Sequence, residues 1–237
     1  MTSRREQARA LRTAEIVRLA RRQVEEIGAP GLSLRAIARD LGMVSSAIYR
    51  YFSSRDELLT RLIVESYERL GIAVEAADAA VRRSDHRRRW RAMAHAIRRW
   101  AFANPAEYAL LFGSPVPGYA APPQTIGPAT RYTAALTALI VDIEAAGEAG
   151  GGAGKVSAPL RRDLRSLRDR YPMAATDAML VRGLAAWAQV MGTISLELFG
   201  HLHNVVNTPG ALFDAVVDDQ ADRLLGTAAP RRTSNPA

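Results

Sequence analysis

Ser45, Ser46, Tyr49, Arg50, Tyr51 and Arg55 bring hydroxyls, phenols and guanidinium groups into one short stretch, interleaved with Ala47, Ile48 and Phe52. Small hydroxyls followed by tyrosine and arginine on an outward face suit phosphate oxygens and base edges better than they suit plain solvation. Ser54-Arg55-Asp56-Glu57 has the form of a capping box that opens a helix. Arg55 then falls in the first helical turn, where a cation opposes the helix dipole, and a phosphate partner supplies a motive for placing it there.

The elements that must position these groups can be read from the pattern around them. Leu34, Ile37, Ala38 and Leu41 recur at i, i+3, i+4 and i+7, which draws one apolar stripe on a short helix after the turn signal Pro30-Gly31. Gly42 ends that helix, because glycine takes the positive φ that re-aims the chain. A second short helix follows, with Met43, Ile48 and Phe52 inward and Val44, Ser45, Ser46, Tyr49, Arg50 and Tyr51 outward or at the margin. Two helices joined by a glycine turn form a helix-turn-helix, whose second helix is sized for the DNA major groove. Upstream, Ile16, Ala20, Val24 and Ile27 mark a supporting helix over residues 10–27, ended by Gly28. Residues 1–10 read as a basic, mobile arm, solvated or in weak phosphate contact.

The run L-G-M-V-S-S-A-I-Y-R-Y-F-S-S-R-D-E-L-L, residues 41–59, resembles the helix-turn-helix of the tetracycline-repressor (TetR) family. There a glycine turn leads to a Tyr-x-[Tyr/His]-Phe run and a basic residue before the next helix. Val44 departs from the Ser or Thr that usually caps the recognition helix, so the cap passes to Ser45 or is absent, and Val44 is freed to touch a thymine methyl. Residues 187–201, W-A-Q-V-M-G-T-I-S-L-E-L-F-G-H, resemble the regulatory domain of a TetR subgroup named for a Trp-His-Gly signature. Residues 107–119, E-Y-A-L-L-F-G-S-P-V-P-G-Y, are similar to that subgroup's middle, while Met191 stands where its histidine is expected.

Charge agrees with a phosphate binder. The formal net charge of the 237-residue chain is +8, and within residues 1–55 eleven arginines face four glutamates and one aspartate, a local excess of +6. Only Lys155 is a lysine, so part of the basic bias is a general preference for arginine. The absence of cysteine excludes disulfides, thiol catalysis and Cys-ligated zinc. With no apolar run of about 18 residues and no signal-peptide core, a soluble, cytoplasmic protein without a membrane partner is expected.

Beyond the helix-turn-helix the chain reads as helices throughout. A long helix from Asp56 to about Arg83 is followed by a charged, solvated break, Arg82–Arg89, and by helices over Trp90–Phe102, Pro105–Gly113 and Ile126–Ala146, the last with Tyr132, Leu136, Leu139, Ile140 and Ile143 inward. Gly147–Lys155 invites comparison with a phosphate-binding loop, but Ala149 stands where a glycine is required and Val156 where a Ser or Thr should follow Lys155. It is read as a flexible linker. An arginine-rich helix, Ala158–Arg170, precedes two amphipathic ones, Met173–His203 and about Pro209–Gly226, which can pair with their own copies as a four-helix bundle. Glu197, His201 and His203 are too few ligands for a metal, and no serine has a nucleophile-elbow context. Trp100, Tyr108, Phe112, Trp187 and Met191 together have the character of a small-molecule cavity wall, although any one of them taken singly reads first as ordinary core.

The expected fold is therefore all-α: an N-terminal three-helix helix-turn-helix domain over residues 1–55, a helical effector-binding and dimerisation domain over 56–226, and a disordered tail over 227–237. By its resemblance the chain is a homodimeric DNA-binding regulator, a repressor released from a palindromic operator by a small-molecule effector, with no enzymatic activity and no cofactor. Ser45, Ser46, Tyr49 and Arg50 would lie near bases or phosphates, with Ser33, Arg35, Tyr51 and Arg55 anchoring the DNA backbone. The alternative is a helical small-molecule-binding protein or enzyme that has lost specific DNA recognition.

Overall fold

A computed structural model describes residues 3–151 and 155–226, and among these the regular structure is helical. The helices are α1 (Arg4–Ile27), α2 (Leu34–Asp40), α3 (Ser45–Ile48), α4 (Arg55–Ala79), α5 (His86–Ala103), α6 (Pro105–Phe112), α7 (Ile126–Ala145), α8 (Ala158–Arg170), α9 (Asp177–Leu198) and α10 (Pro209–Leu225). Single 3-10 turns at Ala29–Gly31 and Pro123–Thr125 precede α2 and α7. The chain divides into two compact units, Met1–Ile72 with Trp100–Arg131, and Ala73–Arg99 with the described part of Tyr132–Ala237.

The first unit is built on one apolar core. Ile16, Ala20 and Val24 of α1, Leu34, Ile37 and Ala38 of α2, Ile48 and Phe52, and Leu58, Leu59 and Leu62 of α4 are all buried together. Leu110, Leu111, Val116 and Tyr119 cover that core from the later segment, and the Tyr119 hydroxyl lies 2.9 Å from Thr60 Oγ1. Ile27 is the exception to the α1 pattern, 61% exposed. Residues 4–10 are the first turns of α1, contrary to the mobile arm expected there. Ser3 caps the helix and Glu6 returns the bond, so both orphan amides are satisfied and the helix extends back to Arg4.

In the second unit α5 carries a row of basic groups at four-residue steps that meets an acidic row on α10. Arg87 pairs with Asp222, Arg91 with Asp218, and His95 Nε2 lies 3.2 Å from Asp214, while Trp90 Nε1 donates to the Val217 carbonyl at 2.8 Å. Burial holds the His95 imidazole below its ordinary range; Asp214 opposes that shift, and Arg91, Arg99 and Arg98 reinforce it. Gly183 lets α9 approach α7, since a Cβ there would run into Ile140 Cδ1.

Several boundaries differ from the sequence reading for identifiable reasons. The solvated break over 82–89 is shorter than expected, because α5 starts at His86 and Arg89 is fully buried between Asp78 and Asp142, at 2.7 Å from each. Burial opposes its charge, yet those two carboxylates raise the guanidinium pKa above the ordinary value. Helix α9 starts at Asp177 because Thr176 accepts from Met179 N, and it closes at Leu198 because Gly200 takes φ +79°. By length and composition α9 is also apolar enough to cross a membrane, although no unbroken apolar run marks it in the sequence. The glycine linker is anchored at Gly150, whose N–H donates to the Leu224 carbonyl at 2.9 Å; residues 152–154 and the tail 227–237 lie outside the described residues.

The turn between α2 and α3 fixes everything that follows it. Gly42 sits at φ +63°, Met43 N donates to Ala38 O at 2.8 Å and Gly42 N to Arg39 O at 3.0 Å, the paired bonds of a Schellman motif. A Cβ at Gly42 would meet nothing within 4 Å, so any cost of substitution is backbone strain alone. Gly42→Ala is expected to lower unfolding stability by about 1 kcal/mol, read as a reduced urea midpoint at unchanged slope. An unchanged midpoint would refute the conformational argument.

Candidate nucleic-acid interface

The reading surface rests on a very short helix. α3 is one α-helical turn, continued by the bonds Arg50 N to Ala47 O at 3.3 Å and Tyr51 N to Ile48 O at 2.9 Å. Val44 occupies its N-cap without a side-chain bond and is 72% exposed, so the cap is absent and has not passed to Ser45. Ile48 is wholly buried and Phe52 nearly so, which seats the turn on the core. Ser45, Ser46, Tyr49 and Arg50 are left exposed, and half-buried Tyr51 packs against the core cluster from above.

The flanking residues are set by other elements. Ser33 caps α2, accepting from Ala36 N at 3.3 Å, and its own N–H is held by Gln23 Oε1 of α1 at 3.0 Å. Arg35 is exposed on α2, one residue beyond the helix start. Arg55 is half-buried and turned inward, with Nη2 donating to the Ala29 carbonyl at 2.9 Å and Nη1 lying 3.3 Å from Asp56. The capping motif that opens α4 is offset by one residue: Glu57 N donates to Ser54 Oγ at 3.1 Å, while the Glu57 carboxylate accepts from Ser53 N and Ser53 Oγ, both at 2.6 Å.

Among the described residues the guanidinium groups of Arg4, Arg5, Arg35, Arg39 and Arg50 have no carboxylate partner. Exposed arginines without a counter-ion carry the charge that a phosphate partner would neutralise.

One hub in this unit has no sequence signature. Glu107, in the first turn of α6, is 5% exposed, accepts from Ser66 Oγ at 2.7 Å and pairs with Arg21 Nε at 3.1 Å and with Arg69. Arg21 also reaches Glu65 at 2.9 Å, so α1, α4 and α6 are tied by one network centred on the buried Glu107. Burial, together with the charge of Arg21, holds the Arg69 guanidinium below its ordinary pKa against Glu65 and Glu25. A carboxylate in a first helical turn is ordinary capping chemistry by sequence, and its burial is a tertiary fact.

The five aromatic and methionine positions fall into both units. Trp100, Tyr108 and Phe112 belong to the first, where the Phe112 ring lies 5.0 Å from Tyr108 and 5.9 Å edge-on from Tyr67. Trp187 and Met191 belong to the second, with Trp187 Nε1 donating to the Tyr132 hydroxyl at 3.3 Å and Met191 buried. Glu197 accepts from Arg98 Nε at 2.9 Å, which occupies the carboxylate considered with His201 and His203.

Comparison with known proteins agrees with this geometry. Residues 16–62 match a family described as bacterial regulatory proteins, tetR family, and residues 90–220 match one described as tetracyclin repressor-like, C-terminal domain. The HTH-type transcriptional regulators Rv1816 of Mycobacterium tuberculosis and Mb1846 of Mycobacterium bovis are each 45% identical over 218 residues, 89% of this chain and 91% of theirs. The crystal structure of SCO4313 is 36% identical with a TM-score of 0.75, covering 92% of this chain and 98% of that one. PfmR, a TetR family transcriptional regulator from Thermus thermophilus, shares the fold at 18% identity and a TM-score of 0.53, covering 90% of this chain and 99% of that one.

Because Arg55 bonds to the loop between α1 and α2, its removal acts on the DNA-free protein. Arg55→Ala is expected to lose about 1.5 kcal/mol of stability, the low end of the range for a hydrogen bond from a charged group, because the side chain is partly exposed. Urea denaturation without DNA checks this, and a wild-type midpoint would make Arg55 irrelevant to the fold.

Proposed function

The chain belongs to the tetracycline-repressor family of bacterial regulatory proteins, and from that premise we propose that it represses transcription from a palindromic operator until a small-molecule effector releases it. It is a DNA-binding transcriptional regulator of the helix-turn-helix type. The observation that carries the reading is the exposed row Val44, Ser45, Ser46, Tyr49 and Arg50 on a turn anchored by buried Ile48, beside arginines that have no carboxylate partner. In this reading Ser45, Ser46, Tyr49 and Arg50 face bases and phosphates in the major groove, and Val44 meets a thymine methyl. Ser33, Arg35 and Tyr51 hold the DNA backbone; Arg55 serves it only with whatever donor capacity the Ala29 carbonyl leaves.

The working unit is a cytoplasmic homodimer joined through α9 and α10. Supporting it, Leu184, Leu196 and Phe199 are each more than 40% exposed, and Ala185, Ala188 and Gly192 lie exposed between them. A groove of about 440 Å³ beside them is lined by Ala185, Gln189, Ala215, Val216 and Gln220 together with the Asp219–Arg223 ion pair. The proposed effector contacts are, within the first unit, Trp100, Tyr108 and Phe112 and, separately within the second, Trp187 and Met191; no catalytic step is assigned. An effector that prefers the released conformer by about a hundredfold, near 2.7 kcal/mol, is enough for a useful switch.

Selection of bound fragments from sheared DNA of the source genome, followed by sequencing, tests the function. One enriched palindrome is expected, with affinity that falls steeply with salt and at least tenfold in Tyr49→Ala; no enrichment at low salt refutes the reading. For the dimer, Leu184→Glu is expected to sediment as a monomer and to lose operator affinity, whereas a dimeric Leu184→Glu protein would place the interface elsewhere.

A further inference from the structure

The single turn of α3 leaves its last carbonyls to be satisfied from outside, as at any helix end. Ala47 O accepts from Arg50 N, and Ile48 O accepts from both Tyr51 N and Phe52 N. Just beyond them the carbonyl of Arg50 accepts from Arg9 Nη2 of α1 at 3.2 Å, across 41 positions of sequence.

Arg9 is well placed to hold it. The capping box at Ser3 and Glu6 keeps the first turns of α1 helical, so Arg9 stands on a 24-residue helix seated in the core through Ile16, Ala20 and Val24. Thr13 Oγ1 donates to the Arg9 carbonyl at 2.9 Å, and the nearby Glu6 carboxylate is occupied by Ser3 N at 2.6 Å. Arg9 and Arg50 are both exposed and neither has a carboxylate partner among the described residues. A guanidinium has five N–H donors in a fixed plane, so one bond to a carbonyl leaves others directed outward beside a second arginine.

We propose that Arg9 is a positioning residue for the DNA-reading surface: it holds the exit of the recognition turn through the Arg50 carbonyl while its remaining donors engage a backbone phosphate. The proposal rests on the operator-binding function put forward above and adds a residue outside the helix-turn-helix. Lysine at this position keeps the charge but loses the planar fork, so Arg9→Lys separates the two roles. Loss of a phosphate contact alone weakens binding to all duplexes alike, whereas a displaced recognition turn weakens operator binding more than binding to random DNA.

The test compares wild type, Arg9→Ala and Arg9→Lys in operator and random-duplex titrations over a range of salt. Amide hydrogen exchange across residues 45–52 is followed in the DNA-free proteins, and thermal melting verifies folding of these surface variants. Both variants are expected to exchange faster over residues 49–52. Operator preference should fall by about tenfold or more in both, while Arg9→Lys keeps the wild-type salt slope. Restoration of full operator preference by Arg9→Lys, or wild-type exchange over residues 49–52 in both variants, overturns the positioning role. If the wild-type protein itself selects no operator, the DNA-binding reading fails on its own, and the exchange measurement still decides whether Arg9 holds the turn.

Discussion

The burial of Ile48 beneath a single helical turn is the contact on which the recognition surface depends. One turn closes too few backbone hydrogen bonds to be stable alone, and Val44 supplies no side-chain cap to help it. Ile48, with no exposed surface, and Phe52, at 5%, must therefore hold it down; each such burial is worth about 1.5–3 kcal/mol. The Schellman bonds around Gly42 set the angle at which the chain enters the turn. Between these two fixed ends Ser45, Ser46 and Tyr49 can be exposed without being loose.

Arginine has two different uses in this protein. On α2 and after α3 it remains exposed without a counter-ion, which leaves positive potential on that surface. Elsewhere it is consumed internally: Arg89 between Asp78 and Asp142, Arg98 on Glu197, Arg21 and Arg69 on Glu107. Desolvating such charges is costly, so a buried pair is poor evidence of stability; removing one partner would nonetheless leave an unpaired buried charge. These networks tie particular helices in a particular register, which apolar contacts alone specify less sharply.

Helix α9 shows why a strongly apolar segment needs a tertiary context. Met179, Leu180, Ala186, Val190, Met191 and Ile194 are buried, while Leu184, Ala185, Ala188, Gly192 and Leu196 are exposed. An apolar helix with one face in its own core and another uncovered has the composition of a buried span without being fully buried. Leu184 lies one turn beyond buried Leu180 yet is 47% exposed, and a helix apolar on two sides offers no polar stripe from which to phase it.

Residue type and local spacing determined much of this protein. The apolar period of α2, the glycine that ends it, the inward Ile48 and Phe52, and the inward set of α7 follow from helix geometry and were legible along the chain. So was the TetR-type helix-turn-helix, because its residues lie within one short segment. Only the tertiary structure decided which charges leave water. Arg89 sits in a run that reads as solvated, Glu107 in a first turn that reads as a cap, and Arg55 in a position that reads as phosphate-facing, yet each finds its partner far along the chain. The physical reason is that a charged side chain carries no periodic signal for burial. Its fate is set by whether a distant helix brings an opposite charge within about 3 Å, and no local pattern encodes that distance.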